Sequence, residues 1–419
     1  MTAPSVAVRM YNVGFGDAFR VTVTKGDQTW RMLVDCGVHS QGQARGIEES
    51  VDAVIGDLVD AGGDGTAHLD VVVATHHHAD HISGFSLPAW ERVQVDEVWL
   101  PFVEDPSDPD AVALRRAHTA TTQRLLELLA RRTTGLAEEG WPAAVREAHG
   151  FALNSFGNAD ATDRLTGRNG QHFAGEHRVR YLPSTDQAMN TIATGLDGVV
   201  AHVLGPSRDP ADLERMNPPA GAGWQRLDAE ERPADRAAGV PLFDAEYVVA
   251  DPGRLPEVLT RAQRALDLGE LSNDVGLLGA ASILERAVNN TSIFLVLEVA
   301  GRRLVFPGDS QEGAWRHVLD DPPKRALLQD AVFYKIGHHG SHNATPRSFV
   351  EEVWHDGGYA MLPWGLVRNW EKTIPERHLL DALHAHGHTV IRADAPIAVP
   401  GEVTVHGDLW SEVVFPAED

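Results

Sequence analysis

Apolar positions follow two rhythms along this chain. Residues 5–12, 18–24 and 30–35 alternate with period two, as in Val6-Ala7-Val8-Arg9-Met10-Tyr11, and this predicts strands. Two denser runs, near 70–75 and at Val95-Asp96-Glu97-Val98-Trp99-Leu100, predict buried strands. Turn-forming clusters such as Lys25-Gly26-Asp27 and Gly62-Gly63-Asp64-Gly65 separate the strands, and residues 47–61 have helical spacing. Strand character returns at Val199–Pro206, at Ser292–Val299 with Arg303–Phe306, at Val332–Ile336, at Tyr359–Leu362 and near 388–392 and 402–405, with a helix over 376–386. The pattern is that of an α/β protein with many antiparallel hairpins, not of a doubly wound parallel sheet.

Two stretches interrupt the rhythm. Residues 103–178 open on the breaker Asp105-Pro106-Ser107-Asp108-Pro109. Leu114–Arg132 then reads as an amphipathic helix whose Leu125, Leu128 and Leu129 should enter a core, and the polar residues 152–172 read as a loop. Residues 206–285 combine an irregular part, 207–256, with a helical part, 257–287. The expectation is one domain over 1–419 carrying both insertions, the second covering or bordering the functional site.

The candidate chemistry lies at the end of the fourth strand, in Thr75-His76-His77-His78-Ala79-Asp80-His81-Ile82-Ser83-Gly84. Its spacing is His-x-His-x-Asp-His. If the strand geometry persists, His76 and His78 share a face and His77 points away, as a structural or supporting residue. Asp80 and His81 fall where a helix opens. Neutral imidazole and carboxylate suit zinc and neighbouring first-row metals, so two adjacent ligand sets are expected here.

This motif resembles the signature of the metallo-β-lactamase superfamily, a fold of two β-sheets flanked by helices in four αββα layers. Several further segments resemble its branch related to the hydrolase domain of the competence protein ComEC. They are Val13-Gly14-Phe15-Gly16-Asp17-Ala18, the strand Met32-Leu33-Val34-Asp35-Cys36-Gly37, Val305-Phe306-Pro307-Gly308-Asp309-Ser310 and Lys335-Ile336-Gly337-His338-His339-Gly340-Ser341. The resemblance implies a binuclear site. His76, His78 and His202 would hold one divalent cation, and Asp80, His81 and His339 the other. Asp309 would be shared, one oxygen on each metal. Zinc is the expected ion, with manganese or iron as alternatives. Of the adjacent histidines, His339 is the expected ligand and His338 a catalytic residue on the substrate side, together with Asp80. Asn290 (in Asn290-Thr291-Ser292, similar to the family's Asn-x-Ser entry to a late strand), Ser341 and His39 are expected to meet substrate. Lys335 reads as a strand-surface or salt-bridge residue, and His384, His386 and His388 as surface residues near a helix C-terminus. The Asn369-Trp370…Ile374-Pro375 segment lacks the histidine of the ComEC-like pattern Asn-x-Tyr-Gly-His-Pro.

Composition narrows the functional choice. The 419 residues carry 36 basic and 60 acidic side chains, a formal charge of −24, and 43% are hydrophobic. Such acidity argues against a broad nucleic-acid-binding surface but leaves room for a local positive site, since bound metals would be the largest charges there. No stretch reads as a membrane span or signal peptide, and the one cysteine, Cys36, reads as a small buried residue in a reducing compartment. A cytoplasmic enzyme acting on a small-molecule or phosphodiester substrate is expected. The favoured reading is metal-dependent phosphodiester hydrolysis, in which two cations lower the pKa of a shared water. The alternatives are an ester, lactone or thioester hydrolase, and a catalytically inert metal-binding module.

Overall fold

The computed structural model describes residues 3–39, 42–62, 65–135, 137, 140–156, 158–213, 215–219, 222–224, 274–354, 357–367 and 373–417. Two mixed sheets pack face to face. The first runs β14-β15-β1-β2-β3-β4-β5-β6, built from β1 (Ser5–Tyr11), β2 (Ala18–Lys25), β3 (Gln28–Cys36), β4 (Ala67–Val73), β5 (Val93–Pro101), β6 (Arg178–Leu182), β14 (Val403–His406) and β15 (Trp410–Phe415). The second runs β13-β12-β11-β10-β9-β8-β7, from β7 (Thr191–Ala193), β8 (Val199–Gly205), β9 (Phe294–Val299), β10 (Arg302–Phe306), β11 (Ala331–Lys335), β12 (Gly358–Leu362) and β13 (His388–Arg392). Hairpins β1–β2–β3 and β8–β9–β10 are antiparallel, whereas β3–β4–β5–β6 and β10–β11–β12–β13 are parallel.

The period-two pattern of the hairpin strands explains the packing. Val6, Val8 and Met10 of β1 and Val21 and Val23 of β2 meet Ala201, Val203, Leu295, Leu297 and Phe306 of the other sheet in one shared core. The opposite face of the first sheet is covered by α1 (Ile47–Gly62), through Val51, Val54, Ile55 and Leu58. Helix α2 (Ala79–Ile82) is a single turn at the end of the loop that follows β4.

The 103–178 stretch is helical, as expected: α3 (Pro109–Thr133), α4 (Ala143–Phe156) and α5 (Ala159–Thr166). Leu125, Leu128 and Leu129 are buried in a separate apolar cluster, together with Ala148, Ala280 and Leu284. The loop expected over 152–172 is instead the end of α4 and all of α5, which closes on Gly167 in the left-handed conformation, φ 65°.

Helix α6 (Pro210–Leu213) is short, and α7 (Asp274–Asn289) packs on α4 and α3. The remaining part of the expected 206–285 insertion, 225–273, lies outside the described residues. Helices α8 (Glu312–Leu319), α9 (Pro322–Ala326) and α10 (Arg377–Ala385) follow, and Trp315, Leu379 and Leu383 pack on the outer face of the second sheet. His388 is not a surface residue: it lies in β13, buried, with Nε2 on Trp354 O at 2.9 Å and its ring stacked on Trp354 at 3.7 Å. Among the described residues no helix is long and apolar enough to cross a membrane.

Glycines let the strand ends converge. A Cβ on Gly37 would lie 2.4 Å from Ala79 O and 2.6 Å from His81 N, so the β3 end touches the His-motif backbone only because this residue has no side chain. Gly37→Ala should therefore cost about 1–3 kcal/mol, the usual range for overpacking, and displace His81. Denaturant unfolding alongside metal titration checks both effects; unchanged stability and unchanged metal affinity would contradict the contact.

Candidate metal centre

The loop after β4 is fixed before it offers any ligand. Thr75 donates its backbone N–H to Asp35 Oδ1 and its hydroxyl to Asp35 Oδ2, both at 2.7 Å. Because that hydroxyl proton is committed, Thr75 Oγ1 accepts from His76 Nδ1 at 3.1 Å, which leaves His76 Nε2 as the free lone pair. His76 Nε2 faces His78 Nδ1 at 3.0 Å. The strand ends at Val73, so it is the turn, not continued strand geometry, that brings these two rings together. His77 points away as expected, with Nδ1 3.1 Å from Glu104 and its ring against His118 of α3.

The single turn of α2 then delivers Asp80 and His81. His81 Nδ1 lies 2.7 Å from Asp35 Oδ2, and its Nε2 lies 3.1 Å from Asp309 Oδ2. His339 repeats this logic. Its Nδ1–H donates to Pro363 O at 2.7 Å, so Nε2 carries the lone pair and faces Asp80 Oδ2 at 3.2 Å. A carboxylate or carbonyl on the far ring nitrogen is how metal-binding imidazoles are held in the ligating tautomer.

Asp80, His81, Asp309 and His339 are all buried and converge within 4.8 Å through one atom each, a group that can hold a metal ion. Asp80 Oδ1 is a buried oxygen with no hydrogen-bond partner. The donor chemistry, buried imidazole nitrogens and carboxylate oxygens, fits a divalent first-row cation.

Asp309 departs from the expected one-oxygen-per-metal arrangement. Its Oδ1 is taken by Lys335 Nζ at 3.0 Å and by the His338 N–H at 2.9 Å, so only Oδ2 faces the cluster. Lys335 is not a strand-surface residue. It is buried, and its ammonium also meets Asp17 Oδ2 at 2.5 Å and Gly308 O at 3.0 Å.

Charge governs the protonation states. Burial favours neutral Asp80 and Asp309, but His81 and His339 beside Asp80, and Lys335 and His81 beside Asp309, hold both carboxyls well below the usual range. Burial pushes Asp17 up despite Lys335. It also drives His76 and His78 well below the usual imidazole value, which leaves them neutral and ligand-ready. His81 is raised well above that value because Asp309, Asp17, Asp35 and Asp80 outweigh its burial; His339 is raised by Asp80, Asp309 and Asp17 against the same penalty.

Three sequence-based assignments change. His202 is not at the centre. Ala201 and Val203 enter the core between the sheets, so strand alternation sends His202 to the other face, where Nε2 lies 3.7 Å from Glu298. The hydroxyl of Ser292 stands beside His76 Nδ1 instead, at 3.2 Å, and accepts the Asp309 N–H at 3.1 Å. Asn290 is buried and spends its amide on the backbone: Nδ2 donates to Leu213 O and Arg215 O, and Oδ1 accepts from Gln311 N–H. Ser341 gives its hydroxyl proton to Asn343 Oδ1 at 3.0 Å, inside its own loop.

The two adjacent histidines do not diverge by strand alternation. Both leave β11 into left-handed backbone, φ 45° at His338 and 52° at His339, a conformation that costs non-glycine residues about 1–3 kcal/mol each. His338 Nε2 reaches Asn289 Nδ2 at 3.4 Å, and burial pushes the imidazole down to about 4, so it is uncharged at neutral pH. His39 is buried near the cluster, where Asp80 and His339 act on it electrostatically and its ring meets Phe15 edge-on at 6.0 Å.

The supporting roles of Asp17, Asp35 and Thr75 have no local sequence signal, whereas the salt-bridge reading of Lys335 holds. Gln311 has none either; it is buried, and among the described residues neither side-chain amide atom is hydrogen-bonded. No protein-family model matches the chain, and no curated protein matches it.

Two outcomes follow from this geometry. His339→Ala should lose metal measured by elemental analysis, while His338→Ala should retain it; the reverse contents would exchange their roles. The second concerns pH. A raised histidine stabilises the fold below its unfolded value of about 6.5, and that stabilisation is lost as pH rises through the folded value. With His81 and His339 both raised, the metal-free protein should lose thermal stability as pH rises above about 6.5. Metal binding should release protons over the same window. Calorimetry in buffers of different ionisation enthalpy measures the release, and a metal-free Tm that climbs with pH would contradict it.

Proposed function

We propose that the protein is a metal-dependent hydrolase of the metallo-β-lactamase superfamily type, with the αββα architecture and a ComEC-like branch character. The observation that carries the reading is the convergence of Asp80, His81, Asp309 and His339 beside the facing pair His76 and His78. In this reading two divalent cations, most simply zinc, occupy the centre. His76 and His78 would hold one, Asp80, His81 and His339 the other, and Asp309 would offer Oδ2, the oxygen that faces the cluster. Ser292 supports His76 from the Nδ1 edge of the ring, away from the Nε2 that would face the cation.

Bound there, the cations would supply Lewis acidity and lower the pKa of a water held at the centre. The protein's own groups do the rest. Asp80 Oδ1 accepts a hydrogen bond from the attacking water and orients it. His338, uncharged at neutral pH, donates a hydrogen bond to an oxygen of the scissile group. Lys335 and the His338 N–H pin Asp309 so that Oδ2 stays in place. The Asp35–Thr75–His76 and Asp35–His81 bonds keep the imidazoles aligned without rearrangement.

A phosphodiester is the favoured substrate, on the resemblance of Lys335–Ser341 to the ComEC-like segment. The acidic surface suits a compact substrate over long nucleic acid. One buried cysteine suits a reducing, cytoplasmic setting. A panel of bis(4-nitrophenyl) phosphate, cyclic nucleotides, single-stranded DNA, lactones and thioesters, assayed with zinc, manganese and iron, tests the assignment. Phosphodiester cleavage lost in Asp80→Asn is the expected result. Cleavage of lactones or thioesters with no phosphodiester turnover would reverse the order of substrates, and no hydrolysis with any metal would leave a binding module.

A further inference from the structure

The cap helix α7 brings one cation to the centre that the hydrolase reading does not use. Its C-terminal residue Asn289 touches His338 Nε2 through Nδ2 at 3.4 Å. Arg286 lies three residues earlier, on the same helical face, and its carbonyl accepts the Asn290 N–H. Its positive charge acts on both His338 and His342. Among the described residues it forms no ion pair, in a chain with 60 acidic side chains. Glu376 also acts on His342, but the described residues give Arg286 no carboxylate of its own.

Asn289 supplies the second observation. It is fully buried and, among the described residues, its Oδ1 has no hydrogen-bond partner. The amide is nearly symmetric in shape. Turned by 180°, it accepts from His338 Nε2–H through Oδ1 and leaves Nδ2 as an unmet donor. Either orientation leaves one amide atom beside His338 without a partner among the described residues, and such a buried group calls for a ligand or a water. An amide in contact with the substrate-side histidine and a guanidinium one helical turn before it are the groups that recognise phosphate oxygens.

We propose that Arg286 and Asn289 form a subsite for a second phosphate, next to the one cleaved, so that the preferred substrate is a short phosphodiester with a terminal phosphomonoester. The proposal rests on the phosphodiesterase reading for the identity of the scissile bond, but the subsite itself can be tested without turnover. The probes are dithymidine joined by an uncleavable methylphosphonate, with no terminal phosphate or with one at the 5′ or 3′ end. They are titrated calorimetrically into the full-length, metal-loaded protein. One of the phosphorylated probes should bind about tenfold more tightly than the plain one, the order expected for a charge-assisted contact. Arg286→Gln should reduce that ratio to about twofold or less, and Arg286→Lys should restore part of it. Arg124→Gln, which removes a charge paired with Glu127 on α3, should leave the ratio intact.

Equal affinity of all three probes for the wild type overturns the proposal, as does a ratio that survives Arg286→Gln. A parallel assay of cleavable dithymidine phosphates separates this question from the reaction. Discrimination in binding without cleavage would sink the phosphodiesterase reading and keep the subsite. Cleavage without discrimination would do the opposite.

Discussion

Four buried carboxyl groups, Asp17, Asp35, Asp80 and Asp309, gather beside one buried ammonium, that of Lys335, and the rest of the structure is arranged around that imbalance. Unpaired charge is expensive inside a protein, costing several kcal/mol per ion even after relaxation. Lys335 reaches two of the carboxylates, and His81 and His339 can carry protons. A divalent cation bound there would replace those protons with stronger, localised charge, so the same imbalance would favour metal binding. Loops bearing these groups come from both sheets: Asp17, Asp35 and the His motif from the first, Asp309, Lys335 and His339 from the second. A cation bound at their junction would tie the two halves of the sandwich together.

Holding that junction requires close backbone approach and a strained turn. Gly37 permits the contact between β3 and the His motif, and consecutive left-handed residues at His338 and His339 turn the chain sharply after β11. The strain is offset by local bonds: the His338 N–H to Asp309, the Ser341 N–H to His338 O and His339 to Pro363. The helical elements α3 and α7 then contact the centre from outside, through His118 against His77 and Asn289 against His338.

Much of this was legible in the residue pattern, for physical reasons that also explain the errors. The His-x-His-x-Asp-His cluster is local, so six positions after a buried strand were enough to bring His76, His78, Asp80 and His81 together. Strands with clear alternation were found within a few residues of their ends. The short edge strands β6 and β7, of five and three residues, and β15 at the chain's end were not recognised. His202 is the instructive failure. Val199, Ala201 and Val203 set the buried phase of that strand, so alternation turns His202 outward, against the position that the family resemblance implies. Asp17–Lys335 and Ser292–His76 join residues more than two hundred positions apart, and no local pattern encodes such pairs. The left-handed turn at two histidines was equally hidden, since nothing in His-His distinguishes it from extended chain.

An anomalous-difference map from crystals grown with zinc, recorded across the zinc edge, tests the central claim most directly. The account predicts two peaks: one held by His76 Nε2 and His78 Nδ1, the other by Asp80, His81 and His339, with Asp309 Oδ2 reaching toward both. A map without density at the cluster, with His81 and His339 still hydrogen-bonded to Asp309 and Asp80, would show instead that protons and Lys335 alone balance the buried carboxylates, and the metal centre would be refuted.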